Sequence, residues 1–220
     1  VTMRLQSAIF DMDGTLLDSM FIWNDLGART LRSLGIESEP DLGEKLKVLT
    51  VRQGAAYCKD AYHMTQSVDE IVALIEAQVE DFYTHQVQAK AGVVKFLSLL
   101  KMEGVWMYVA TATDRHLAEA ALRCAGIDGY FRGILTCQEV GQGKDSPEIF
   151  ERCMRRLRSN KKDTVIFEDA LHAIETAKAA GFRVCGVYDD SAWEDQEAIR
   201  RIADYYITSF EEMFETNVPE

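Results

Sequence analysis

The stretch SAIFDMDGTLLDS, residues 7–19, joins a short apolar run to three carboxylates, Asp11, Asp13 and Asp18. Residues 8–10 read as a buried strand, because the run is short, wholly apolar and bounded by polar residues. Gly14 follows at once and lets the chain leave the strand in a conformation closed to other residues. Carboxylates at the end of a buried strand either cap a turn or serve a site. The choice depends on what the rest of the chain brings to that edge.

Similar apolar runs recur at residues 105–110, 133–135, 165–167, 184–187 and 205–207. Helical patterns alternate with them at 93–102, 117–124, 147–157, 171–180 and 196–202. Continuous apolar strands alternating with helices predict an α/β fold, a Rossmann-like parallel sheet with helices on both faces. From Asp18 to His85 the alternation stops, and only helical periodicity is found. There Ser67 and Glu70 have the spacing of a capping box. The expected organisation is a discontinuous core, residues 1–14 and 89–220, with an all-helical cap inserted at 15–88. The connections fall near 15–18 and 85–92.

The chain has 220 residues, 47% of them apolar, and a net charge of −12. That charge disfavours a nucleic-acid surface, yet a few lysines and a metal can reverse the field inside one cleft. No apolar run is long enough to span a membrane, and no secretory signal pattern opens the sequence. The five cysteines are odd in number and lack zinc spacing, which suits free thiols in a reducing cytoplasm. A cytoplasmic monomer acting on a small molecule is expected.

In an open parallel sheet, ligands bind beyond the carboxyl ends of the strands. Those ends carry Asp11 and Asp13, then Thr111 and Thr113, then Glu168 and Asp169; Lys144 lies in the glycine-rich loop GQGKDSP. Each alone reads as a turn, a cap or a surface residue. Together they place carboxylates, hydroxyls and an ammonium at one sheet edge. Crowded carboxylates call for a cation, and an all-oxygen donor set suits Mg²⁺. A cation beside a lysine and a threonine forms a phosphate-sized anion site. One carboxylate can attack phosphorus, and a second, two residues on, can manage protons.

These residues carry a resemblance. DMDGTLLDS is similar to the DxDGT motif of the haloacid dehalogenase-like phosphatases. Thr111 after YVA, Lys144 in GKDSPEIF and the acidic pair in VIFEDALHAIETAKAAGF resemble the three later motifs, in order. The helical insertion falls where the cap of the beta-phosphoglucomutase-like subgroup sits. The resemblance implies Asp11 as nucleophile, Asp13 as general acid/base, and Thr111 and Lys144 as phosphoryl-binding groups. It implies Mg²⁺ held by Asp11, Asp13 through its backbone carbonyl, and Asp169, with Glu168 nearby. Gly14 and Thr15 belong to the same loop as candidate substrate-binding positions, Thr15 bracing it by hydrogen bonding.

Asp13 argues against a dehalogenase and a phosphonoacetaldehyde hydrolase, which lack the second aspartate. The segment KVLTVR has no Gly-x-x-Arg pattern and DSMFIWN has no histidine, which counts against a sugar-phosphate mutase. The expected activity is therefore hydrolysis of a small phosphorylated metabolite, such as a sugar or polyol phosphate. The alternatives are a mutase and a catalytically silent phospho-ligand binding protein. In the cap, Lys47 and Arg52 are candidates for recognising the leaving group. Trp23 and Phe21 either line a pocket or pack within the cap.

Overall fold

The computed structural model describes residues 3–214. The chain divides into two compact units, one interrupted between Asp18 and Val87 and the other spanning Ser19–Gln86. The strands in chain order are β1 (Ser7–Phe10), β2 (Leu17–Asp18), β3 (Gln88–Ala89), β4 (Trp106–Thr111), β5 (Ile134–Thr136), β6 (Thr164–Glu168), β7 (Arg183–Val187) and β8 (Tyr205–Ile207). The helices are α1 (Phe21–Ser33), α2 (Leu42–Leu46), α3 (Val51–Ala61), α4 (Val68–Asp81), α5 (Val93–Met102), α6 (Arg115–Cys124), α7 (Cys137–Val140), α8 (Glu148–Arg156), α9 (Leu171–Ala179) and α10 (Gln196–Ile202).

The first unit is built on a six-stranded sheet ordered β5-β4-β1-β6-β7-β8, with every pairing parallel. The sequence runs outward from β1 to β4 and β5, then returns to the other side of β1 for β6, β7 and β8. That reversal leaves a crevice at the carboxyl end of β1, where open α/β sheets bind ligands.

Alternate residues of a strand face opposite sides of the sheet, and the core divides accordingly. Ile9, Ala110, Ile166 and Val184 pack with Ile149, Phe150, Cys153 and Ile174 from α8 and α9. Phe10 and Phe167 belong to the other face. They are register partners across β1 and β6, stacked with centroids 4.6 Å apart. Phe96 of α5 meets Phe167 edge-on at 5.6 Å, and Phe131 meets Phe10 at 6.0 Å. These rings immediately precede Asp11 and Glu168, so the tightest aromatic packing fixes the two strand ends that bear carboxylates.

A short antiparallel pair, β2 with β3, was not expected from sequence; it matches Leu17 with Ala89 and Asp18 with Gln88. It draws the division between units to 18/19 and 86/87, in place of the expected 14/15 and 88/89, because both paired segments belong to the sheet-bearing unit.

The second unit consists of α1–α4 and a π-helical turn, Phe82–Gln86. Its core gathers Leu26, Leu31, Leu42, Ala55, Cys58, Ile71 and Ile75. The Ser67–Glu70 capping box opens α4 as the spacing predicts, and a second box, Thr50 with Gln53, opens α3. A Cβ on Gly43 would lie 2.5 Å from the backbone oxygen of Asn24, so α1 and α2 approach backbone to backbone. Gly43→Ala is expected to destabilise this unit by about 1–3 kcal/mol, the usual cost of overpacking. A lower unfolding midpoint in a denaturant titration followed by circular dichroism checks it.

Candidate active site

Backbone geometry at the end of β1 sets the site. Asp11 donates its N–H to the Phe167 carbonyl at 3.0 Å, which extends the β1–β6 pairing by one residue and brings Asp11 beside Glu168. Gly14 then turns with φ of +80°. The Met12 carbonyl accepts from the N–H groups of Thr15, Leu16 and Leu17 at 3.3, 3.0 and 3.0 Å. The turn buries the Thr15 side chain under the strand ends. Its hydroxyl donates to Asp169 Oδ1 at 2.9 Å and lies 3.2 Å from Asp11 Oδ2. With its one proton engaged by carboxylates, Thr15 orients them, in keeping with the bracing expected of it.

Lys144 reaches the same point from the loop after α7. It is 7% exposed, and its ammonium donates to Asp11 Oδ1 and, at 2.9 Å, to Glu168 Oε2. The other Glu168 oxygen accepts the N–H groups of Asp169 and Ala170 at 3.0 and 3.1 Å. Burial opposes charge on Lys144, but Asp11 and Glu168 outweigh it and hold the ammonium above its ordinary range. Burial, with Glu168 close by, pushes the Asp11 carboxyl up against the pull of Lys144. Burial and the two neighbouring carboxylates push Asp169 well up.

Oxygens of Asp11, Glu168 and Asp169 lie within 4.8 Å of one another, all buried. Three carboxylates facing one ammonium leave two negative charges uncompensated when all are ionised. The donor set is all oxygen, so the cluster fits a hard divalent cation. The Asp13 carboxylate is not part of it. Asp13 instead accepts from the Thr113 hydroxyl at 2.6 Å. Thr111 ends β4 fully buried, and its hydroxyl oxygen accepts from the Thr113 N–H at 3.0 Å, leaving its proton to donate. Thr113 thus touches both Thr111 and Asp13. Its sequence signal was its place two residues past Thr111, where a turn residue reads the same way.

The cap candidates separate. Trp23 and Lys47 line a cleft of about 240 Å³ within the second unit, together with Gly27, Leu46, Thr50 and Gly54. Trp23 remains 47% exposed. Arg52 does not line this cleft; its guanidinium pairs with Asp69 at 2.6 Å, both side chains exposed. Phe21 meets Phe82 edge-on at 5.4 Å, inside the same unit.

A parallel α/β sheet with this acid and lysine constellation at its carboxyl edge defines a hydrolase of one family. The profile of the haloacid dehalogenase-like hydrolases matches residues 8–187, and the chain belongs to that family. A phosphorylated carbohydrates phosphatase of Thermotoga maritima is 27% identical over 83% of this chain and 85% of its own. Hexitol phosphatase B of Escherichia coli K12 is 24% identical over 96% of this chain and 95% of its own. Among solved structures, a Thermotoga maritima protein provisionally named a beta-phosphoglucomutase superposes with a TM-score of 0.82. It shows 25% identity over 95% of this chain and 96% of that one.

Proposed function

We propose that this hydrolase is a Mg²⁺-dependent phosphatase. In this reading it cleaves a small phosphate monoester, of a sugar or polyol, through an aspartyl-phosphate on Asp11. The observation that carries the reading is the placement of Asp11. Its carboxylate is fixed by Lys144 on one oxygen and Thr15 on the other, in a buried cluster with Glu168 and Asp169.

Asp11 attacks phosphorus, and the bond to the leaving oxygen breaks. Asp13, oriented by Thr113, gives that oxygen its proton. In the second half Asp13 takes a proton from water, whose oxygen attacks the aspartyl-phosphate. Phosphate leaves and the Asp11 carboxylate returns. Lys144 and the Thr111 hydroxyl hold the phosphoryl oxygens throughout. Asp11, Asp169 and the Asp13 backbone carbonyl would hold Mg²⁺, with Glu168 anchoring Lys144 beside them. Bound there, the metal supplies positive charge against the phosphoryl oxygens.

The names of the two curated relatives support a sugar or polyol phosphate. The five cysteines are all free thiols, which suits the cytoplasm. Chelation with excess EDTA is expected to abolish release of inorganic phosphate from an aryl phosphate, and Mg²⁺ to restore it. Full activity in chelator would overturn the metal assignment. Phosphate retained in an isomerised sugar product would replace hydrolysis with the mutase reaction.

A further inference from the structure

Lys144 sits on the loop between α7 and α8. The loop follows α7, a helix of four residues, too short to persist by its own hydrogen bonds. Besides its own capping box, α7 is held from another segment. Arg115 begins α6, directly after the turn that carries Thr111 and Thr113. Its Nε donates to Glu139 Oε1 and its Nη2 to Glu139 Oε2 at 3.0 Å, a two-pronged pairing. The same Nη2 donates to the Ile134 carbonyl of β5 at 2.7 Å, and Nη1 reaches Glu119 Oε1 at 3.2 Å.

Glu139 is the third residue of α7. Its carboxylate also accepts the Thr136 N–H at 3.2 Å, while the Thr136 hydroxyl accepts the Glu139 N–H at 3.1 Å. Thr136 ends β5 as the register partner of Thr111. Gly141 closes α7 with φ of +78°, and Lys144 follows three residues later. The pairing with Arg115 holds the Glu139 carboxyl below its ordinary range, so it stays ionised near neutrality.

We propose that Arg115 and Glu139 form a clamp whose task is to position Lys144. The clamp ties the loop that bears Lys144 to the turn that bears Thr111 and Thr113, so that groups from two segments keep one geometry. Both are positioning residues. A guanidinium can grip both carboxylate oxygens and a carbonyl at once; an ammonium cannot reproduce that fork. The catalytic consequence rests on the phosphatase reading above, but the clamp itself does not.

The test uses Arg115→Lys, Glu139→Gln and the double variant, each confirmed folded at the assay temperature by a melting curve. Hydrogen–deuterium exchange is expected to quicken about tenfold or more at residues 137–146 in every variant, with β1 and β6 unchanged. Unaltered exchange there would overturn the clamp, whatever the reaction. For an aryl phosphate, kcat is expected to fall about 10- to 100-fold, the scale of loss when a reacting group is misplaced by up to about 1 Å. KM should move far less, and the double variant should lose no more than the worse single one. Wild-type kcat in folded Arg115→Lys, or losses that multiply, would overturn the positioning role. An inactive wild-type protein would instead remove the phosphatase reading and leave exchange to decide the clamp.

Discussion

Asp11→Asn is expected to lose turnover of every phosphate monoester by at least about 10⁴-fold, on the scale seen when a covalent nucleophile is removed. The substitution keeps the side chain's size and its place between Lys144 and Thr15. What it removes is the anion that attacks phosphorus in the proposed mechanism. No acid-stable label should appear when the variant is quenched with a radiolabelled phosphodonor. Asp13→Asn is expected to behave differently. In the proposed mechanism the nucleophile remains and the proton manager is gone, so kcat should fall by about 10²–10⁴-fold. A reactive donor with a good leaving group should still phosphorylate it, and the label should map to Asp11. A label on another residue would refute both roles.

Lys144→Met should affect stability as well as activity. Lys144 is the cation that the structure places against Asp11 and Glu168, and both side chains are buried with it. Removing one partner of a buried ion pair costs about 3–5 kcal/mol, because the remaining charges lose their compensation. The loss should depend on pH. Asp11 and Asp169 are carboxyls whose folded values lie above the ordinary range, so the unfolded chain gives up its protons first. Stability from such groups is present below the ordinary carboxylate value, about 4, and is lost as pH rises through the folded values. The variant should therefore be closest to wild type in mild acid and furthest from it above neutrality. Denaturant midpoints at pH 5 and pH 8, in chelator, check this. Equal deficits at both would mean that Lys144 contributes packing and little charge compensation.

Much of the sheet was legible because its strands are buried on both sides. Tyr205–Ile207 and the helices Val93–Met102 and Gln196–Ile202 coincide with the expected bounds, each stopped by a clear change of pattern. The β2–β3 pair escaped because two-residue strands carry no periodicity. The α7 helix escaped for the same reason, although Thr136 and Glu139 have the capping-box spacing that marks a helix start. The π-helical turn at Phe82–Gln86 reads in sequence as a continuation of α4. In the site, the residue types and their order along the chain placed Asp11, Lys144, Glu168 and Asp169 at one edge. Sequence could not give the division of labour among them. That Asp13 faces Thr113, that Thr15 serves the carboxylates, and that Arg52 pairs with Asp69 are facts of three-dimensional approach. Residues 215–220 lie outside the described range, while Phe210 is buried against Phe167 of the sheet.

Pairing Leu17–Asp18 with Gln88–Ala89 brings the two ends of the insertion to one strand spacing, about 5 Å. A segment that leaves and returns through adjacent strands closes its own loop, and the sheet's register does not depend on how long that loop is. Residues 19–86 can lengthen, shorten or be replaced, and Asp11 still meets Glu168 across β1 and β6. The stem works as a socket for an exchangeable part. The stem thus isolates the register of the strand ends that bear Asp11 and Glu168 from the length of the chain between residues 18 and 87.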